Sequence, residues 1–197
     1  MSIAAAIQPS NYEMVFDLTE SWNLISAYHD PETPDVESIF GGIENQIMST
    51  WKWENNNWSV WAPPSLMRAD DLKSYLADKE FVLLKNIHCG EGFWVNLDSP
   101  QYLFISGTQS SDTASYLNKG WNLVGLKSDE ITTVTDYILG KEDKIASIWK
   151  WLNNTWAVYL PGGGTETYAQ SKGFMVLQDI EPSQGLWVNS TEAITLE

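Results

Sequence analysis

Groups able to carry reaction chemistry are few. His29, His88 and Cys89 are the only imidazoles and thiol in the 197-residue chain. Neighbours on a strand point to opposite faces, so His88 and Cys89 make a poor thiolate–imidazole couple. Hydrolysis needs an activated nucleophile or a pair of carboxylates. Acidic side chains are plentiful, 26 against 11 basic, but no cluster of them stands out. Asp30, Glu32 and Asp35 share one loop, yet lack the ligand spacing and central glycine of an EF-hand. Gly162-Gly163-Gly164 has no Lys-Ser/Thr after it and reads as a flexible loop, not a phosphate cradle. One cysteine alone builds neither a disulfide nor a Cys-based zinc site. No catalytic residue, metal or other cofactor is expected, and carboxylates assembled from distant loops remain the only route to a hydrolase.

Tryptophan carries the sharper signal, with eleven in the chain. Large rings bury much area in a small core, and they also stack on ligands and dominate interaction hot spots. Trp51-Lys52-Trp53 and Trp58-Ser59-Val60-Trp61 alternate on either side of an asparagine-rich turn, which predicts a hairpin. With residues 54–57 as the turn, Trp53 pairs with Trp58, and Trp51, Trp53, Trp58 and Val60 share a face, read as core with Trp53 an anchor. Lys52, Ser59 and Trp61 then point outward. The segment 149–159 behaves alike: Trp149, Trp151, Trp156 and Val158 point inward with Trp156 the anchor, and Lys150, Ala157 and Tyr159 outward. Trp61, Tyr159, Lys52 and Lys150 are therefore the candidate ligand-binding residues, the rings for stacking and the lysines as donors. The rival reading folds the loops after Pro63 and Pro161 back over the rings.

These elements belong to a repeat. Trp22-Asn23-Leu24-Ile25 returns as Trp121-Asn122-Leu123-Val124, Trp51-Lys52-Trp53 as Trp149-Lys150-Trp151, and Asn55-Asn56 as Asn153-Asn154. Phe81, Leu84 and Ile87 return as Phe174, Leu177 and Ile180. Each copy closes with Gly92-Phe93-Trp94-Val95-Asn96 or Gly185-Leu186-Trp187-Val188-Asn189. Order and spacing hold throughout, and two copies are too few for a solenoid. The division is unit 1 at 1–106, a polar linker at 107–115 and unit 2 at 116–197. Insertions fall between blocks, as between Pro63 and Tyr75, which reads as a surface loop.

The order Gly/Ser-Trp-Asn-Leu, Trp-x-Trp, Trp, Gly-Phe/Leu-Trp-Val resembles the tandem tryptophan-rich "GWN…GYWV" repeats of bacterial secreted and surface proteins, over nearly the whole chain. Ser21 and Leu186 depart from that pattern. The resemblance implies an extracellular or periplasmic home and no assigned activity. Met1–Ala6 lacks the basic and apolar regions of a leader, so the expectation is a mature secreted form, with the cytoplasm as the alternative.

Strands are expected around Met14–Phe16, Trp22–Ile25, Gly92–Asn96 and Tyr102–Ile105, and short helices at 36–40 and 134–139. The stretch around Phe81, Leu84 and Ile87 reads equally as helix or strand. The expected fold is β-rich α+β: two small tandem homologous domains, each an antiparallel sheet, open or barrel-like, with one or two short helices. A net charge of −15 without a basic patch argues against nucleic acid. No apolar run approaches the ~20 residues of a membrane helix, so no insertion is expected. The expected function is a non-catalytic module for adhesion, spacing or partner binding, with a polysaccharide or another surface protein as partner. A carbohydrate-binding module with exposed rings is the alternative.

Overall fold

The computed structural model describes residues 12–196. It is β-rich, with several sheets, none closed into a barrel, and short helices. In unit 1 a five-stranded sheet runs, in spatial order, Ser21–Ser26, Gly92–Leu97, Ile47–Glu54, Asn57–Trp61 and Val82–Leu83. In unit 2 the same order is Gly120–Val124, Leu186–Ser190, Ile145–Leu152, Thr155–Tyr159 and Met175–Val176. Neighbours pair antiparallel except the last strand, which adds parallel to the hairpin, Ser59 opposite Val82 and Ala157 opposite Met175. A small ladder backs each sheet. Tyr12–Leu18 pairs with Gln101–Thr108 in unit 1, and Ser115–Leu117 with Ile194–Leu196 in unit 2. Gly107 and Thr108, placed in the linker on sequence, are the last residues of a strand, and Ser115 is the first of the next.

Both hairpins turn on paired asparagines. Asn55 and Asn56 have φ of 51° and 59°, and Asn153 and Asn154 have 50° and 58°. Two consecutive left-handed residues match the right-handed twist of the flanking strands, and asparagine tolerates that region best among non-glycine residues. Trp53 sits opposite Trp58, and Trp151 opposite Trp156.

The loop expected between Pro63 and Tyr75 contains an 11-residue helix, Ala69–Lys79, answered in unit 2 by Thr165–Lys172. Asp70 and Asp71 favour its first turn and Lys79 its last, complementing the helix dipole. Leu72 and Leu76, one turn apart, pack under it with Val60 and Ala62. The other expected helices form at Val36–Phe40 and Val134–Tyr137, capped by Asp35 and Thr133 side chains. Asp35 of the acidic loop is thus a cap, accepting from the Ser38 N–H at 3.0 Å. Phe81, Leu84 and Ile87 bracket the two-residue strand Val82–Leu83, and Leu84 and Ile87 are buried.

Each unit has its own core on the sheet face turned toward its ladder. In unit 1 it gathers Phe16, Phe40, Trp61, Phe93, Val95 and Leu97, among others. In unit 2 it gathers Ile138, Ile148, Leu177, Leu186 and Val188 with their neighbours.

Candidate binding clefts at the joint between the units

Strand alternation sorts the side chains as expected, but the two faces exchange roles. Lys52, Ser59 and Trp61, read as outward, lie on the core face: they are 4%, 1% and 3% exposed. Trp61 stacks on Phe40 with centroids 5.8 Å apart. Pro63 is buried beside it, in line with the rival reading of a loop folded over the ring. Lys150 and Ala157 are likewise buried, and Tyr159 is half-buried against the unit 2 core. Trp61 borders a cleft of about 650 Å³ beneath the helix Ala69–Lys79, while Lys52 and Lys150 are buried and Tyr159 packs on the unit 2 core.

The two lysines are internal ties. The Lys52 ammonium donates to the Asn86 carbonyl at 3.3 Å and to the Glu91 carboxylate at 2.9 Å. Lys150 donates to the Asp179 carbonyl at 3.1 Å and to the Gln184 amide oxygen at 2.7 Å. Each joins the middle strand to the loop before the closing Gly-x-Trp-Val strand, and the bonds offset the cost of burying an ammonium. Burial holds Lys150 below the ordinary lysine range, while Glu181 and Asp179 pull it upward.

The other sheet face carries every tryptophan except Trp61. These rings are half-buried or, at Trp22 and Trp121, exposed by 37% and 43%. Trp53 and Trp156, read as core anchors, belong to this half-buried set. Each is covered by a neighbouring ring of its own unit on one side and by rings of the other unit on the other. The Trp53 indole N–H donates to the Trp121 carbonyl at 3.1 Å, and the Trp151 N–H to the Trp22 carbonyl at 3.2 Å. Ring contacts fall into two sets of five. One joins Trp51, Trp53 and Trp58 to Trp121 and Trp187. The other joins Trp149, Trp151 and Trp156 to Trp22 and Trp94. Most are edge-to-face, the arrangement aromatic quadrupoles favour.

Backbone bonds complete the joint. Isolated bridges pair Ile25 with Gln184 and Glu91 with Val124. The Ser26 N–H donates to the Ser183 carbonyl at 3.0 Å, and the Gly125 N–H to the Gly90 carbonyl at 2.9 Å. Contacts are thus reciprocal, as about a two-fold axis. A Cβ on Gly92 would lie 2.7 Å from the Val124 oxygen, and one on Gly185 2.7 Å from the Ile25 oxygen. The glycine that opens each Gly-x-Trp-Val block lets the two backbones meet. Ser26 and Gly125 face each other at the centre: a Cβ on Gly125 would lie 2.0 Å from the Ser26 oxygen.

Four clefts open along this joint. Two are lined by tryptophan alone, with volumes of about 380 and 530 Å³, and both include Trp58 and Trp156. The other two are polar and correspond to each other. One, of about 350 Å³, is bounded by Trp53, Asn55 and Asn56 of unit 1 and by Tyr116, Asn118 and Trp121 of unit 2. Its counterpart, of about 330 Å³, is bounded by Trp151, Asn153 and Asn154 of unit 2 and by Asp17, Thr19 and Trp22 of unit 1. Every cleft takes residues from both units. Sequence reasoning missed them because no single copy contains one.

Of the candidate reactive groups, Cys89 lines the first polar cleft and His29 borders none of the four. Burial, with Asp30 adding to it, pushes the Cys89 thiol up to about 12, so it is protonated at neutral pH. His29 is buried between Tyr12 and Tyr28, and burial lowers its basicity against the pull of Asp129 and Asp30. Among the described residues no group of three or more His, Cys, Asp or Glu side chains is placed to hold a metal ion. No described helix is long and apolar enough to cross a membrane. Comparison with models of protein families, with curated proteins and with solved structures finds no match to this chain.

Proposed function

We propose that this chain is a non-catalytic binding module of a secreted or surface-associated protein, serving adhesion, spacing or partner binding. The observation that carries this reading is the joint itself: clefts built from both units, two lined by indoles alone and two by indoles and amides, where Glu54 and Glu91 are already paired with Lys52 and the Cys89 thiol beside them is held protonated by burial. Ring-rich, water-poor surfaces suit recognition, because aromatic side chains supply contact area at low entropic cost. Proton transfer instead needs a poised acid or base beside the bound ligand.

The test compares the full chain with Trp58→Ala on immobilised polysaccharides and cell-wall preparations, and assays both proteins for turnover of the same materials. Retention without turnover, weakened at least ~10-fold in Trp58→Ala, is the expected result for a ring at a binding hot spot. Turnover of any of these materials by the purified chain would sink the non-catalytic reading.

A further inference from the structure

The two polar clefts differ from the tryptophan-only pair in a way that selects a ligand class. Each sets a partly exposed indole, Trp121 or Trp22, against two turn asparagines from the other unit. The side-chain amides of Asn55, Asn56, Asn153 and Asn154 are exposed and have no hydrogen-bond partner among the described residues. An amide presents donors and an acceptor without charge, as a row of hydroxyls requires. An indole face offers an apolar surface to ring C–H groups.

Charged groups near the first cleft are already engaged. Glu91 accepts from Lys52 and from the His88 N–H. Lys127 donates to the Ala114 carbonyl at 2.6 Å. Glu54 accepts from Ser59 and pairs with Lys52 at 3.1 Å. What remains free in that cleft is rings and amides; the second cleft adds the carboxylates of Asp17 and Glu181 at its edge. The net charge of −15 disfavours an anionic ligand. Both clefts are also pre-formed. The turns hold their left-handed angles, and the Trp53 and Trp151 N–H groups are fixed across the joint, so little order is lost on binding.

We propose that these clefts are two subsites for a neutral saccharide, present only when the units are joined, and that the one holding Trp121 is the tighter. The ranking follows from one replacement. Tyr116, 69% exposed, lines the first cleft as a third ring beside Trp53 and Trp121, where the second cleft has at the matching position the carboxylate of Asp17. Two subsites on one chain gain by avidity on a polymer. The proposal rests on the binding-module reading and adds its ligand and its place.

The test is affinity electrophoresis of the full chain through gels holding a soluble mixed-linkage β-glucan, a galactomannan, an arabinoxylan or an α-glucan. Retardation on at least one is expected. Trp22→Ala with Trp121→Ala should weaken it by ~10-fold or more, since both avidity and stacking are lost. Trp121→Ala alone should cost more than Trp22→Ala alone. If the ring variants fold poorly, Asn56→Asp with Asn154→Asp keeps the left-handed turns and sets a carboxylate in each cleft. That pair should abolish retardation with the thermal transition unchanged. Absence of retardation in all four gels overturns the proposal, as does retardation that survives both double variants. Retention lost in Trp58→Ala but untouched by changes in the polar clefts would also overturn it, while leaving the binding-module reading standing.

Discussion

The two units solve the same folding problem with different residues at matched places, and the differences separate scaffold from option. Unit 1 ties its buried lysine to a carboxylate, Glu91, and unit 2 ties its own to an amide, Gln184. What both retain is an ammonium with an oxygen acceptor, so the scaffold needs the hydrogen bond and not the charge. At the backbone position before the first tryptophan both adopt positive φ, 76° at Ser21 and 96° at Gly120. Only unit 2 uses the residue that does so without steric cost. At the centre of the joint the units must differ, because one Cβ fills the space that two would share.

That last difference gives the largest expected effect. Gly125→Ser places a side chain on Ser26 and should cost about 3 kcal/mol, in the range of overpacked interiors. Ser26→Gly added to it exchanges the two residues across the axis and should recover most of the loss. Denaturant unfolding of the single and double variants decides it; a double variant as unstable as the single would mean the two positions are not a pair.

A smaller effect follows from His29, whose place in unit 2 is taken by Ser128. Burial lowers the imidazole pKa below its ordinary 6.5 in the fold, so the unfolded chain takes up the proton first. This contribution is complete above about 6.5, the unfolded value, and is lost as pH falls from there through the folded value. His29→Phe preserves the stacking on Tyr12 and Tyr28 and should flatten the fall of the thermal midpoint between pH 7 and 5. An unchanged slope would assign that acid sensitivity to carboxylates alone.

The smallest is Ser21→Gly, which relieves the left-handed strain at a further entropic cost and should stabilise by about 0.5 kcal/mol. A measured loss would show that the serine side chain makes a compensating contact.

Much of the architecture was legible because it rests on local rules. Paired asparagines fixed the hairpin register, and period-two alternation grouped the side chains correctly. The helix Ala69–Lys79 had a signal in the spacing of Leu72, Tyr75 and Leu76, but prolines and a length mismatch between the copies made a loop the natural reading. Alternation says which residues share a face, not what covers it. When both faces are covered, one by the unit's own core and one by its twin, the aromatic-richer face is no longer the deeper one. Trp61 and Lys52 were misplaced for that reason. The binding clefts were hidden for a related one: Asn55 meets Trp121 only across a separation of more than sixty residues, and within either copy the turn asparagines look sufficient to themselves.

The sorting of ten indoles into two sets, each drawn from both units, has an optical consequence. Rings with centroids about 5 to 6 Å apart exchange excitation and give exciton dichroism, so the spectra of each set of five depend on how its rings are placed. Excitation entering at Trp22 is shared with Trp151 through Trp94, and a quencher at one ring dims the rest. Parting the units would divide each set into two rings and three. The near-ultraviolet dichroism and the emission colour of the protein are therefore a built-in gauge of whether its halves are together.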